Sequence, residues 1–466
     1  VAEPIGEGAS VPFKIIRQPG VESYGNPGAL ELENFRGMTF VEGTVYVAFD
    51  NHLVSFNEGT PTYGDIGPGA IIMAGGGPVF FARDQAQPPH QILVPASAGG
   101  AYEYTAAGIT TSPITNAGTA IDVVYGTGFF FYLLPNGRVY CSSLPNTPDA
   151  VAFATAESKP DGALRLIYFG DQLYIMGKES IEVWGKPINT AAGQFVLNKI
   201  TTIPRGMISN KACSGFENGV DLGVCFVGNN HQVCRLNGYL PERISTSDVE
   251  RSIEATIDKT RIECTSYFGD NHAYLKVRTN EWCWVYDFTT QTWAERQSYL
   301  STTSRLLQAI YTGTRWLVGD ADSAVIGWIR ADRRREFERP LIWQVDAVPT
   351  KGFPNRAVVG PVHFEFVVGV GEIDIVEGTA IVSTIDDSTR VNPRVEISWS
   401  DDGGENFTYP ELRELGGQRN SKQLIRVFLT GSLGPYGRVW RLRCSDPVYV
   451  SLMNGDMPRI KQRDAA

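Results

Sequence analysis

The chain has no pair of cysteines at C-x-x-C spacing. Its seven cysteines, Cys141, Cys213, Cys225, Cys234, Cys264, Cys283 and Cys444, are odd in number and widely spaced. That excludes a zinc knuckle and a disulfide framework, and predicts buried free thiols on strands in a reducing compartment. The five histidines, His52, His90, His231, His272 and His363, have no metal-ligand spacing. Three of them, His52, His231 and His272, follow an Asn in a turn and read as turn or strand-edge residues. No metal and no cofactor is expected. There is also no excess of basic charge: 41 Lys and Arg face 51 Asp and Glu, a formal net charge of -10. Dedicated nucleic-acid binders need a basic surface, whereas this balance fits a surface that repels DNA, such as a channel wall.

Other signatures are missing as well. No stretch approaches 18 uninterrupted apolar residues, so no transmembrane helix is expected. The opening VAEPIGEGAS lacks the basic region and apolar run of a signal peptide. There is no G-x-S-x-G elbow, Walker loop or H-E-x-x-H. The glycines of Ala74-Gly75-Gly76-Gly77 lie between two expected strands with no helix after them, so they cannot form a phosphate-cradling helix N-terminus.

What is present is turn chemistry. With 466 residues, 49 Gly, 27 Pro and 11% aromatics, the chain predicts an all-β protein of two or more domains. The stretch Glu157–Trp184 sets the pattern: a polar turn, then short runs rich in Leu, Ile and Tyr split by Gly170-Asp171. Such a meander of antiparallel strands cannot bury both faces alone and needs copies of itself. Similar units start near Phe35, Ala70, Ala120, Leu164, Lys211, Arg261 and Leu306. Their spacing is close to that of four-stranded propeller blades, and the count reads as seven, with six as the alternative. One helix is expected over Ile244–Lys259, with Ser247-x-x-Glu250 as capping box and Val249, Ile253 and Ile257 on one face.

The expected organisation is an extended N-terminal arm over 1–34, a β-propeller over 35–329, a charged linker over 330–339 and a β-sandwich over 340–466. The linker reads RADRRREFER, a mixed-sign run that reads as facing water. In the last part His363–Val368, Arg394–Trp399, Leu424–Leu429 and Arg438–Cys444 alternate apolar and polar residues, with Ile373–Asn392 as a polar loop or hairpin between them.

Two constellations could carry chemistry. Ser400, Asp402, Gly404 and Phe407 fit the Asp-box pattern S-x-D-x-G-x-x-[WF], which an Asx–Gly hairpin explains without catalysis. A glycosidase would need two carboxylates facing across a cleft, and Asp122, Glu182, Asp287 and Asp320 can be nominated at strand ends. The sequence brings no pair of them together, so no catalytic residue is expected.

Taken in order, several segments resemble the tail hub (nozzle) proteins of short-tailed bacteriophages, also called packaged-DNA stabilisation or tail accessory proteins. They are Pro19-Gly20, Arg36-Gly37-Met38, Ala156–Gly162, the meander ending Ser180–Trp184, Ile244-Ser245-Thr246 with Val249-Glu250, Ser400–Phe407, and Gly437–Arg443. The resemblance implies a structural, non-enzymatic subunit of the virion tail, assembled in the bacterial host cytoplasm. It implies a homo-oligomeric, commonly six-fold ring below the portal–adaptor, around the DNA exit channel. It also implies docking of a tail needle or plug and of tailspikes or fibres, with double-stranded DNA enclosed but not specifically bound. Two departures stand out: about 18 residues precede Pro19-Gly20 where the family has a longer arm, and Ile373–Asn392 is longer than expected. The alternatives are a glycan-binding or glycan-cleaving propeller, suggested by the Asp-box and by Trp282 and Trp293, and a scaffold propeller that binds a peptide partner.

Overall fold

The structure, a computed structural model, describes residues 2–4, 13–28, 30–68, 74–156, 162–186, 188–189, 195–347, 357–371, 373–376, 379–382, 393–416, 422–428, 430–433, 437–456 and 461–462. The expected strand starts at Ala70–Met73, the turn 157–161 and the segment 383–392 lie largely outside them.

Seven antiparallel sheets follow one another along the chain. The first is Phe35–Val41, Thr44–Phe49, His52–Asn57 and Thr60–Pro68. The second is Val79–Arg83, Gln91–Pro95, Tyr102–Thr105 and Gly108–Ile109. The third starts at Asp122–Gly126, the fourth at Ala163–Phe169, the fifth at Cys213–Ser214, the sixth at Glu263–Gly269 and the seventh at Leu306–Tyr311. These first strands are the inner ones: the first four adjoin in order, as do the fifth to seventh, and the seventh lies beside the first. Met38 N donates to Gln308 Oε1 at 3.1 Å across that junction. Tyr63 binds the same two blades by donating to Ala324 O at 2.8 Å and accepting from Ile326 N at 3.0 Å.

Turn chemistry explains the meanders. Gly170 and Asp171 both take positive φ, +58°, which lets Phe169 pair with Gln172 across a two-residue loop. Glycine is also required where blades touch. A Cβ on Gly126 would lie 2.3 Å from the Tyr168 ring of the next blade, and one on Gly319 would lie 2.7 Å from the Phe35 ring. Each glycine is the socket for an aromatic of its neighbour, which is how diverged blades keep a common spacing.

Two expectations fail at the ends of the propeller. Gly20–Gly25 is not part of an extended arm: it pairs antiparallel with Ile326–Arg330 as the fourth strand of the seventh blade. The first half of the arm belongs elsewhere, since Phe13–Ile16 pairs with the strand Val448–Asp456. The run 330–339 is not a solvated linker either. Arg335–Glu336 pairs parallel to Gly20–Gly25 and turns back through Arg339–Pro340. Glu336 is 1% exposed. Its Oε1 receives Arg296 Nη2 at 2.9 Å, and Ser298 donates to its other oxygen. Arg296 also donates to Gln18 Oε1 at 3.0 Å and Pro19 O at 3.3 Å. Arg330 and Arg333 share Glu22, at 2.6 and 2.8 Å. Glu336 is buried and Arg330 and Arg333 are half-buried because their charges are matched across the closing strand, while Asp332, Glu338 and Arg339 stay exposed.

The helix is shorter than expected, Ser247–Ala255, with Thr246 as N-cap and no side-chain capping bond. Glu250 instead accepts from Ser245 Oγ at 2.7 Å and from Arg243 Nε at 2.6 Å. Thr256 is extended and ends the helix, so Val249 and Ile253 are buried but Ile257 is 94% exposed.

Beyond the propeller, Trp343–Asp346, Val439–Cys444, Arg394–Ser400 and Glu411–Glu414 form one sheet. Val448–Asp456, Val362–Gly371 and Gln423–Val427 form another, extended by Phe13–Ile16 and Ala2–Pro4. Both sheets contribute to one buried cluster that includes Trp343, Phe366, Ile397, Val427, Trp440 and Val450. Within Ile373–Asn392, Ile373–Val376 and Thr379–Val382 pair as a hairpin. The seven cysteines are free, and all but the half-buried Cys264 are buried.

The closing latch gives a direct expectation. Glu336→Leu leaves the buried Arg296 guanidinium without its carboxylate, and chemical denaturation should show a loss of about 3–5 kcal/mol. Adding Arg296→Met to Glu336→Leu should recover most of it. A single-variant loss within about 0.5 kcal/mol would remove the latch from the account of stability.

Candidate functional site: the axial cavity

The inner strands leave a space on the propeller axis, open at the face where those strands begin. It is a cavity of about 1090 Å³. Its wall comes from six of the seven blades, through Arg36, Val79–Phe80, Arg165, Cys213, Glu263–Thr265 and Leu307–Gln308. The end of a second strand adds Arg278, and loops between second and third strands add Asp50-Asn51, Asn280 and Ala321. The glycine run Ala74–Gly77 lies in this wall.

Cations dominate the lining: Arg36, Arg165, Lys211, Arg261, Lys276 and Arg278, against Asp50, Glu217, Asp258 and Glu263. The carboxylates are already occupied. Asp50 accepts from Glu33 N, Asn34 N and Asn34 Nδ2 at 2.7–3.1 Å. Glu217 accepts from Ser214 Oγ at 2.9 Å and Gly215 N at 2.6 Å. At the rim Asp258 pairs with Arg261 at 3.0 Å. Glu263 alone serves two cations, with Lys211 Nζ at 3.0 Å on one oxygen and Arg278 Nη1 on the other. Burial pushes the Glu263 carboxyl up, but Lys211, Arg278 and Lys276 outweigh it and hold it at about 2.

Lys276 is the unusual member. It is 1% exposed, and its ammonium donates to two main-chain carbonyls, Leu306 O and Leu307 O, the latter at 3.0 Å. Burial pushes it down to about 7, with Arg278 and Arg296 adding to the fall and Cys283 and Glu263 opposing it. Arg278 is 5% exposed, and its Nε is buried without a hydrogen-bond partner. Period-2 alternation explains why such residues could be missed. Lys276 and Arg278 sit in an apolar strand, His272–Arg278, in which every residue is buried, so the pattern alone cannot tell a charged interior position from an exposed face.

The four carboxylates nominated from sequence are not in this cavity's lining. Each binds its own neighbourhood. Asp122 accepts from Val123 N at 2.8 Å and from Leu166 N of the next blade at 2.7 Å. Burial pushes its carboxyl up to about 6, against the pull of Arg165. Glu182 accepts from Trp184 Nε1 at 2.8 Å. Asp287 meets His272 Nδ1 at 2.7 Å and caps the following turn by accepting from Thr289 N at 2.9 Å. Asp320 receives a two-pronged contact from Arg305, at 2.6 Å through Nε. No two of them face each other across a cleft among the described residues. His52 and His90 likewise meet Asp65 and Asp84, at 3.2 and 2.5 Å. His231 sits at positive φ in a turn, and His363 lies in the strand Val362–Gly371. In the Asp-box hairpin Asp402 accepts from Ser400 Oγ at 2.5 Å and from Glu405 N and Asn406 N at 3.0 Å. These bonds hold its carboxyl well below the usual range. Gly404 has φ +104°, and the Phe407 ring lies 3.6 Å under Arg441.

The lowered Lys276 makes a signed prediction. An unfolded lysine titrates near 10.4, so between about pH 7 and pH 10 the unfolded chain binds one more proton than the folded one. The folded state should therefore gain stability across that window, in phosphate-free buffer, relative to a Lys276→Met variant. Urea midpoints of both proteins at several pH values measure it, and parallel curves would show that the ammonium is not desolvated.

No curated protein matches the sequence. Among solved structures, the chain is similar to virginiamycin B lyase from Staphylococcus aureus, at 13% identity, TM-score 0.42, over 68% of this chain and 98% of that one. It is also similar to the WD40 propeller of Doa1, at 8% identity, TM-score 0.41, over 68% and 97%. A third is BamB from Moraxella catarrhalis, at 12% identity, TM-score 0.40, over 71% and 98%. A family model described as bacteriophage P22 Gp10, beta-propeller, matches residues 25–333, the stretch that folds into the seven blades less all but the last residue of the closing strand. By that match the chain belongs to the phage stabilisation family of P22 Gp10-type β-propellers.

Proposed function

We propose that this chain is a wall subunit of the tail of a short-tailed phage, part of a homo-oligomeric and commonly six-fold ring below the portal–adaptor. In this reading the ring surrounds the DNA exit, keeps packaged DNA in, and offers docking surfaces to a needle or plug and to tailspikes or fibres. The protein acts by position and does no chemistry. Its place is the virion tail, after assembly in the host cytoplasm.

The observation that carries the reading is the family match over residues 25–333. The architecture supports it mechanically. A propeller whose last blade is closed by the start of the chain resists opening, and the same N-terminal segment is built into the sheet of the second module. Arg17 reinforces that joint by donating to Cys444 O at 3.0 Å and Asp446 O at 2.9 Å. Such a two-part body transmits load without a hinge at residues 330–339, where the latch sits. The DNA path then runs between copies and not along the propeller axis, whose cavity has the volume of a small-molecule pocket and a cationic lining. The acidic excess of the chain, -10 overall, is left for outer surfaces, where it would keep DNA from sticking.

Negative-stain electron microscopy of the purified protein, alone and mixed with its phage's head-to-tail connector, tests this. The expected images are rings with rotational symmetry seated on the connector's distal end. Monomers in both samples would overturn the reading.

A further inference from the structure

We propose that the axial cavity of the propeller is a binding site for a small polyvalent phosphate, an oligophosphate or the phosphate chain of a nucleotide, which ties the blades together from within. Three features of the cavity converge on this. Lys211 and Arg278 share a single carboxylate, Glu263, with Lys276 buried beside them, so the blade 5–6 wall carries more positive charge than it neutralises even when the Lys276 amine is uncharged. Two of those cations are nearly solvent-free, at 1% and 5% exposure. Burying a cation without a matching anion is costly: it is paired or it loses its proton, and a bound anion would pair both groups. Lys276 has only main-chain carbonyls for partners, and Arg278 keeps a buried Nε with none. An anion seated there would supply charge-assisted bonds to both.

The second feature is the rest of the wall. Arg36 and Arg165 stand in the cavity from the first and fourth blades, so cations approach the space from several directions. Arg165 lies with its guanidinium 3.7 Å over the Phe80 ring, which fixes its plane, and its edge meets Asp122 at 3.4 Å and Asn210 O at 3.5 Å, long contacts that a stronger acceptor can supplement. Ala74–Gly77 closes another side with almost no side chain, so an oxyanion can approach the main chain there. The third feature is size. A volume of about 1090 Å³ is far larger than one phosphate needs and suits a drug-sized occupant, which favours a linked phosphate over a single ion.

Binding to the folded state alone raises stability by mass action. The probes are tripolyphosphate, a nucleoside triphosphate, citrate and chloride at matched ionic strength, without metal ions, read by thermal shift and by calorimetry on the full chain. The expected result is one tripolyphosphate per chain and a thermal shift that chloride does not give. Equal affinity for the nucleoside triphosphate points to the phosphate chain as the recognised part, and tighter binding points to a nucleotide. Lys276→Met and Arg278→Met should each weaken binding at least about tenfold, the loss expected for one charge-assisted contact. Should either fail to fold, Lys211→Gln, at a half-buried position, should weaken it in the same direction. Arg251→Ser changes the same charge on the outer face of the helix, where Arg251 is 80% exposed, and should bind as the native chain does. The proposal is overturned by equal shifts in chloride or citrate, by cavity variants that bind as well as the native chain, or by equal loss in Arg251→Ser.

Discussion

A ring of sheets has to end somewhere, and the end is an unpaired strand edge. In this protein the edge of Ile326–Arg330 is covered by Gly20–Gly25, from the opposite end of the sequence. An uncovered edge strand offers a row of free main-chain donors and acceptors to any passing chain. Covering it with a distant segment makes the whole propeller one cooperative unit, because no blade can leave without opening the seventh. The latch around Glu336 then holds the covering strand from its outer side, through Arg296, Gln18 and Ser298. Closure costs loop entropy over nearly the full propeller, and only a set of contacts that forms together can offset it.

The same event joins the two parts of the molecule. Once Gly20–Gly25 is seated, the residues before it have little choice of path, and Ile15 pairs with Leu452 in the second sheet system. Arg17, between the two pairings, is buried and bonded to main-chain oxygens on the strand ending at Cys444 and just after it. A segment of about a dozen residues therefore serves both bodies. This is the physical basis for the proposed role, which asks the two parts to move as one.

Charge is distributed unevenly over that frame. Carboxylates act as internal ties between turns and blades: Asp122 between blades three and four, Asp320 to Arg305, Asp287 to His272. The axis, by contrast, gathers cations from several blades around few acids. An acidic protein with a cationic centre is a combination that net charge cannot reveal, since net charge sums over surfaces that never face each other.

The sequence by itself determined the local grammar. Gly170-Asp171 and its counterparts dictate tight reversals because only residues tolerant of positive φ can make them. The spacing of those reversals, with aromatic strands between, determined the seven sheets. The S-x-D-x-G-x-x-F stretch determined a hairpin because each residue's role is met within the turn itself. Only the tertiary structure decided where the ends go. The first 34 residues read as an arm because the strand partner of Gly20–Gly25 lies some 300 positions away, beyond any local pattern. The run 330–339 read as solvated because its charges find partners in Glu22 and Arg296, which no spacing links to it. The axial cavity was equally hidden. A lysine in an apolar strand has no periodic signature, and its neighbours across the axis come from five other blades. Turns are written in adjacent residues and so can be read there, whereas ring closure and buried charge depend on long-range partners and exist only once the chain has folded.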